Sequence, residues 1–500
     1  MKSKFSIKKL QEKYKEIPIQ AKLALWITIC TLVQKGISVI TVPIFTRMMD
    51  TVSYGKVSAY FSWLNVLSII ASFRLGAGVY NKGLSKYKDD QEGYCLAMQY
   101  TTSIITIFLF LIYIIGHKWI NAFTDMNTTI TCLMFLQVFF STSMGFWSVR
   151  QQYLFKYKQV ACAALVYAIL NPILGLIFVF NTPYENRDVA RIASVVLAEI
   201  IIGLFFYILN IKDGNGKLKK EYGIFAIKFN LPLIPHYFSE YILNQSDRIM
   251  IQKLCSYSSV AFYSVAYNAG MLMTILTSSI NQAITPWLYQ SLDKKEFEKI
   301  GKVLMALSVA ILIPMLIFIA LAPEAVLILA GREYSSAAYV IPPVAGSVVF
   351  LFLYTNFANV EFYYDCNNFT MYISMIGAFL NIVLNFIFIK LFGYIAAGYT
   401  TFVCYFVYCA GHYLFMEHII WRKFKKHLID WKKLFGLFSI MVILMVGMSL
   451  LYNSMAIRYG VILVIVCCVI LKRQVIIKSF NEFLQMREKK TNENERNWTG

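Results

Sequence analysis

Fourteen stretches of the chain are apolar enough to be read as membrane-crossing helices: 21–45, 56–78, 94–116, 128–150, 159–180, 189–210, 226–252, 260–284, 301–322, 339–362, 369–389, 395–417, 433–451 and 457–471. A spanning helix needs about 20 mostly apolar residues. Segments such as Thr101 to Ile115 and Val303 to Leu321 carry no charge at all. The apolar residues run on without the period-two alternation of a barrel strand, and a helix satisfies every backbone group inside lipid. The last two stretches are parted only by Tyr452–Ala456, and no polar segment longer than about thirty residues is left between or beyond the spans. The first twenty residues are basic, and the apolar run behind them is too long for a signal peptide and lacks a small-x-small cleavage site, so an uncleaved first span is expected.

The polar positions set the topology. If the N-terminus is cytoplasmic, the loops, tails and helix ends on that side hold 33 of the 47 Lys and Arg, the opposite side holds 9 and the spans hold 5. That bias fits the positive-inside rule with both termini inside, and an even number of spans agrees with it. The loop Tyr363–Asn368 is the exception, with no Lys or Arg.

Composition sharpens this picture. The chain has 500 residues, 58% of them hydrophobic and 15% charged, with a net charge of +20. Soluble domains average about 45–50% apolar and about 25% charged, so a conventional soluble enzyme and a disordered chain are both excluded. The basic excess is mostly charge facing an anionic leaflet. Nucleic-acid binding would need it concentrated in a soluble module with stacking aromatics, and none is present. Aromatic residues, including 33 Tyr, read as interfacial belts and lipid contact. The ten Cys show no C-x-x-C spacing and are expected to be buried small apolar groups. The five His form no H-E-x-x-H set, and neither a P-loop nor G-x-G-x-x-G occurs. With no outside loop longer than about fifteen residues, the expectation is a carrier that is not an enzyme, has no cofactor, and draws on an ion or substrate gradient.

Pro43 to Ser58 and Asp247 to Ser264 resemble each other at an offset of 206: Arg47 with Lys253, Ser53 with Ser259, Gly55 with Ala261, Ser58 with Ser264. Each closes an odd-numbered span and enters the next, so the halves share an orientation. The expected fold is all-α and polytopic, with about fourteen transmembrane helices arranged as two parallel six-helix lobes plus two C-terminal helices. The divisions would be a cytoplasmic segment 1–20, an N-lobe 21–210, a cytoplasmic loop 211–225, a C-lobe 226–417, a basic loop 418–432, helices 13 and 14 at 433–471, and a cytoplasmic tail 472–500.

Polar residues inside the spans are the candidate chemistry, because lipid-facing charge is costly. In span 7, His236, Glu240, Asn244 and Asp247 fall within roughly an 80° arc of the helix, while Pro232 and Pro235 should kink or break it. Glu240 or Asp247 could protonate and couple transport to an ion. Asp247 could equally form an internal salt bridge with a basic neighbour such as Arg248. Lys35, near the centre of span 1, has no snorkelling route shorter than about 15 Å, and could attract an anionic substrate. Arg74 near the end of span 2 could contact substrate or headgroups. Lys228 by default meets headgroups, and Glu199 and Glu361 are weaker candidates.

The segments "LPLIPHYFSEYILNQSDRIMIQKLCSYSSVAFYSVAYNAG" (231–270), "LNIVLNFIFIKLFGYIAAGYTTFVCY" (380–405) and "FTRMMDTVSYGKVSAY" (45–60) resemble bacterial polysaccharide flippases of the multidrug/oligosaccharidyl-lipid/polysaccharide exporter superfamily. Asn381, Asn385, Gly393, Thr400 and Tyr405 lie in register with that family's signature. Ala397 stands where Gly is common, and Asn367-Asn368 where the family often carries basic residues. The resemblance implies twelve or fourteen helices in two lobes. It implies flipping of undecaprenyl-pyrophosphate-linked oligosaccharide by alternating access, for O-antigen, capsule or exopolysaccharide. Lys35, Arg74, Arg248, Asn244 and His236 would then meet substrate, and Glu240 and Asp247 would couple to H⁺ or Na⁺. Membrane lipids and other polysaccharide assembly proteins would be the partners, in a bacterial cytoplasmic membrane. The rivals are a multidrug/cation antiporter of the same superfamily, a peptidoglycan-precursor or teichoic-acid flippase, and a membrane-embedded polysaccharide polymerase.

Overall fold

A computed structural model describes residues 19–76, 78–215, 219–366 and 368–471. The basic stretch 1–18, Lys217, Asn367 and the tail 472–500 lie outside the described residues. The described residues are mainly helical, with no strand among them. Each apolar stretch became helix. In order these are α1 (Ile19–Met48), α2 (Thr51–Ser72), α3 (Gly78–Lys86), α4 (Gln91–Thr124), α5 (Thr128–Tyr153), α6 (Tyr157–Phe180), α7 (Arg187–Asp213), α8 (Lys220–Asn230), α9 (Ile234–Leu254), α10 (Tyr257–Gly270), α11 (Met273–Asp293), α12 (Phe297–Ala320), α13 (Ala322–Ala330), α14 (Ile341–Tyr363), α15 (Asn368–Phe392), α16 (Ile395–Phe424), α17 (Trp431–Leu450) and α18 (Met455–Leu471).

Ten helical segments are long and apolar enough to cross a membrane by length and composition. The stretches 56–78, 226–252, 395–417 and 457–471 are not among them. The helices in the first two, α2 and α9, are long enough but carry too many polar residues, the third is rich in Thr, Tyr and Gly, and α18 spans only 17 residues. Large apolar side chains project outward, among them Phe108, Ile115, Phe205, Phe379, Leu391 and Ile443, each more than half exposed. Such a surface is suited to lipid and not to water. The protein is therefore a polytopic all-α membrane protein.

Short polar residues start several helices by accepting otherwise orphaned backbone N–H groups. Asp50 caps α2 through Ser53 N (2.6 Å), Asp90 caps α4 through Gly93 N (3.2 Å), and Asn127 caps α5 through Ile130 N (2.8 Å).

The chain divides into two compact units, residues 1–264 with 329–331, and 265–328 with 332–500. In the first, Leu75, Val79, Tyr80, Tyr94, Phe146, Tyr222 and Ala226 pack α3, α4, α5 and α8 together. The two repeat segments meet inside this unit. Asp50 and Ser256, 206 residues apart, both cap helix starts, with Ser259 N donating to Ser256 Oγ (3.1 Å). Thr51 and Ser258 hydroxyls bond at 2.9 Å. In the second unit α14 is central: most of its residues are buried, from Ile341 to Phe350 without a gap. Helices α17 and α18 belong to this unit. Tyr452, between them, donates to Ile319 O (3.1 Å), and Arg458 clamps Glu324.

The ten Cys are free thiols, but the expectation of burial needs correction. Cys162, Cys255, Cys467 and Cys468 are exposed, the last two on α18, which leaves its apolar face uncovered.

Candidate functional site

Spans 2 and 7 are both interrupted in the first unit, and their breaks build a polar cleft. Pro232 sits in a 3-10 turn, Leu231–Leu233, and Pro235 near the first position of α9. Proline lacks the N–H a continuing helix would need, and its ring clashes with the preceding turn. The kink expected in span 7 is thus a break between α8 and α9. Span 2 breaks as well, which its residues did not announce. Helix α2 stops at Ser72, and Phe73 and Arg74 both adopt left-handed backbone conformations, φ 49° and 50°. That region costs roughly 1–2 kcal/mol per non-glycine residue. Asn230, at the last turn of α8, offsets it: its Nδ2 donates to Phe73 O and Arg74 O, both at 2.9 Å. Arg74 therefore lies on a tied corner and not in a continuous helix.

Two hydrogen bonds seat α9 on α2: Tyr241 hydroxyl to Ser62 O (2.5 Å) and Trp63 Nε1 to Gln252 Oε1 (3.0 Å). Between the helices lies a cavity of about 200 Å³, lined by Asn65, Ser68, Ser72 and Arg74 on one side and by Tyr237, Glu240, Asn244 and Gln245 on the other. Arg74 lies 5.3 Å over the Tyr237 ring and 3.9 Å from a Glu240 carboxylate oxygen. Both ends of that ion pair are about half exposed. Exposed pairs at this separation contribute about 0–1 kcal/mol, so the guanidinium stays available to other partners. An arginine fork over an aromatic ring, flanked by amides and hydroxyls, suits phosphate and sugar hydroxyls.

The seven leading candidates from the sequence are placed as follows. Arg74, Glu240 and Asn244 share the cleft, with Asn244 Nδ2 also donating to Glu240 O (2.8 Å). His236 is half-buried, its Nδ1 without a partner among the described residues, and is not part of the lining. Asp247 is fully buried and accepts from Tyr263 hydroxyl. Arg248 is buried too, donating to Ser264 Oγ (3.1 Å) and Gln245 Oε1 (3.0 Å). Lys35 is half-buried on α1 and makes no ion pair among the described residues. The helical stripe thus splits by depth: its middle faces the cleft and Asp247 turns into the packing.

Asn65, Ser68, Tyr237 and Gln245 were not singled out, although Asn65, Ser68 and Ser72 recur at helical spacing along one face of span 2. Among the described residues no three His, Cys, Asp or Glu come together in a way that could hold a metal.

The fold is that of a polytopic helical membrane protein with a polar cleft in its first unit. The chain shares it with the lipid II flippase MurJ in its inward closed conformation, at 14% identity and a TM-score of 0.65, over 91% of this chain and 100% of that one. It also shares it with an inward-facing multidrug resistance MATE family transporter of the MOP superfamily, at 13% identity and 0.54, over 80% and 97%. The chain belongs to the polysaccharide biosynthesis protein family, whose sequence profile matches residues 21–292, and the MatE profile matches 232–387. A product of the Lsg locus of Haemophilus influenzae is 24% identical over 67% of this chain and 82% of its own length. An uncharacterized membrane protein of Methanocaldococcus jannaschii is 25% identical over 58% and 60%.

Proposed function

We propose that the protein flips undecaprenyl-pyrophosphate-linked oligosaccharide units across a bacterial cytoplasmic membrane, both termini cytoplasmic, by alternating access of an N-lobe (21–210) and a C-lobe (226–417). The product would feed O-antigen, capsule or exopolysaccharide assembly. The family match supports the pathway. The observation that carries the substrate class is the cleft: one guanidinium fixed at a helix corner, stacked on Tyr237, loosely held by Glu240 and ringed by Asn65, Ser68, Asn244 and Gln245. The first unit thereby offers donors to a pyrophosphate and amides to a sugar. Lys35, through its charge at mid-span, and His236 and Arg248 complete the substrate-binding set in this reading. Glu240 or Asp247 couples to H⁺ or Na⁺.

The test is complementation of a strain lacking its flippase. Wild-type protein restores surface polysaccharide, Arg74→Ala reduces it at least tenfold at equal expression, and Arg74→Lys recovers part of it. Lys35→Ala and Glu240→Gln variants that both export like wild type defeat the site assignment. Cationic dye efflux without polysaccharide rescue instead identifies a multidrug antiporter, a reading favoured by the MatE match at 232–387.

A further inference from the structure

We propose that Glu361 and His412 form a proton-binding site inside the second unit, sharing no residue with the Arg74–Glu240 cleft. Glu361 on α14 and His412 on α16 have no solvent exposure, and Glu361 Oε1 lies 2.9 Å from His412 Nδ1. Burying two ionisable groups is costly, and a well-packed apolar pair of the same volume is often as stable or more so. Packing alone does not account for a carboxylate and an imidazole in the middle of an apolar core.

The hydrogen bond sets the roles of the two nitrogens. A carboxylate neighbour selects the Nδ1–H tautomer, as carboxylate partners of histidine generally do. Nε2 is then a bare lone pair, and it is buried with no hydrogen-bond partner among the described residues. Three aromatic rings surround the imidazole: Tyr354 stacked at 5.6 Å, Tyr408 edge-on at 4.8 Å and Phe369 edge-on at 6.0 Å. Aromatic π-systems of this kind attract a cation.

The titration balances. With Nδ1–H donating to the ionised carboxylate the pair carries one negative charge. A proton arriving at Nε2 forms an N–H bond there, and the pair becomes neutral, as imidazolium with carboxylate or, after the Nδ1 proton crosses to Oε1, as imidazole with carboxylic acid. The neutral form is favoured in an apolar cage and the charged form when water reaches Nε2. The site therefore takes or releases one proton as its access to water changes.

Among the described residues the surroundings add little competing charge. Tyr354 faces the pair from α14 itself and Tyr408, whose hydroxyl bonds Ser374 (2.7 Å), from α16, beside the buried Cys409. Further along α16, Glu417 is engaged by His427 Nδ1 (3.0 Å) and by the N–H groups of Leu428 and Ile429. Phe369 represents α15. From α11, Asn281 and Thr285 bond Asn356 and Asn359, and Asp293 accepts from Tyr363. Helices α12 and α17 contribute apolar residues to this core, such as Ile311, Met315, Leu437 and Met441.

The inference deepens the transport reading by adding, beside the coupling assigned to Glu240 or Asp247, a second site that takes up a proton, and rests on that reading only for this consequence. Its test needs no glycan. Protein labelled with ¹⁵N-histidine is placed in lipid nanodiscs and titrated from about pH 9 to about pH 5, the range in which histidine changes charge, with H412Q assigning the His412 signal. Expected is conversion of that signal within the range, from the Nδ1–H imidazole to the imidazolium or to the Nε2–H imidazole. E361Q is expected to weaken its proton affinity at least tenfold; if E361Q does not fold, E361D should still move the midpoint. A His412 signal that never changes form, or a midpoint unmoved in the Glu361 variant, overturns the proposal. Failure of wild-type protein to rescue polysaccharide export would instead defeat the flippase reading and leave the titration standing.

Discussion

A Cβ atom on Gly55 would lie 1.8 Å from the carbonyl oxygen of Tyr257. The start of α2 and the start of α10 therefore touch backbone to backbone, where the two repeat segments meet. The obstacle is main chain, which cannot rotate aside as a flexible side chain can. Gly55→Ala is expected to cost about 1–3 kcal/mol, the usual range for overpacking, and Gly55→Val to abolish folded protein. Gly36→Ala, with nothing within 4 Å of its Cβ position, is the control and should be neutral. Thermal melting of detergent-solubilised protein compares the three.

Asn230 holds the corner on which Arg74 stands. Asn230→Ala removes both donors to Phe73 O and Arg74 O and leaves two left-handed residues unsupported. The expected loss is about 1 kcal/mol, the usual net contribution of a hydrogen bond that is only partly buried. Asn230→Asp should be worse, because it sets carboxylate oxygens against carbonyl oxygens. Complementation should fall with melting temperature in both, whereas Arg74→Ala, half exposed, should lower export with little change in melting. Equal melting of Asn230→Ala and wild type counts against the tie.

These residues show which parts could be read in advance. Helical spans follow from runs of apolar side chains, and the break in span 7 follows from Pro232 and Pro235, whose effect is local chemistry. The break after Ser72 is different. Neither Phe73 nor Arg74 is a helix breaker, and the tie comes from Asn230, 156 residues away. Glu240 and Asn244 were legible as a polar face, but helical spacing alone does not say which residues of that face turn inward, as Asp247 does. Glu361 and His412 are 51 residues apart on different helices, so each looks like an isolated polar residue until α14 and α16 pack. The sequence shows which groups are costly to bury, and packing shows which of them share that cost.

Arg458 at the start of α18 donates through both terminal nitrogens to Glu324, at 2.7 and 2.8 Å, and also to Ala320 O. These bonds hold the Glu324 carboxyl below the ordinary carboxylate range. A carboxyl whose pKa is lower folded than unfolded stabilises the protein above its unfolded value, near 4.5, and loses that contribution as pH falls through the folded value. Wild type should therefore melt a few degrees above Glu324→Gln at neutral pH, about what 1 kcal/mol is worth in a domain of this size. The gap should narrow on acidification and close once the carboxyl is protonated. Arg458→Met, which removes the partner, should lose the same pH-dependent gap. Melting temperatures of the three proteins at matched ionic strength, stepped from about pH 7 to about pH 3.5 across the carboxylate range, measure this. A gap that stays constant over that range would show that Arg458 secures α18 through Ala320 O and packing, without the Glu324 charge.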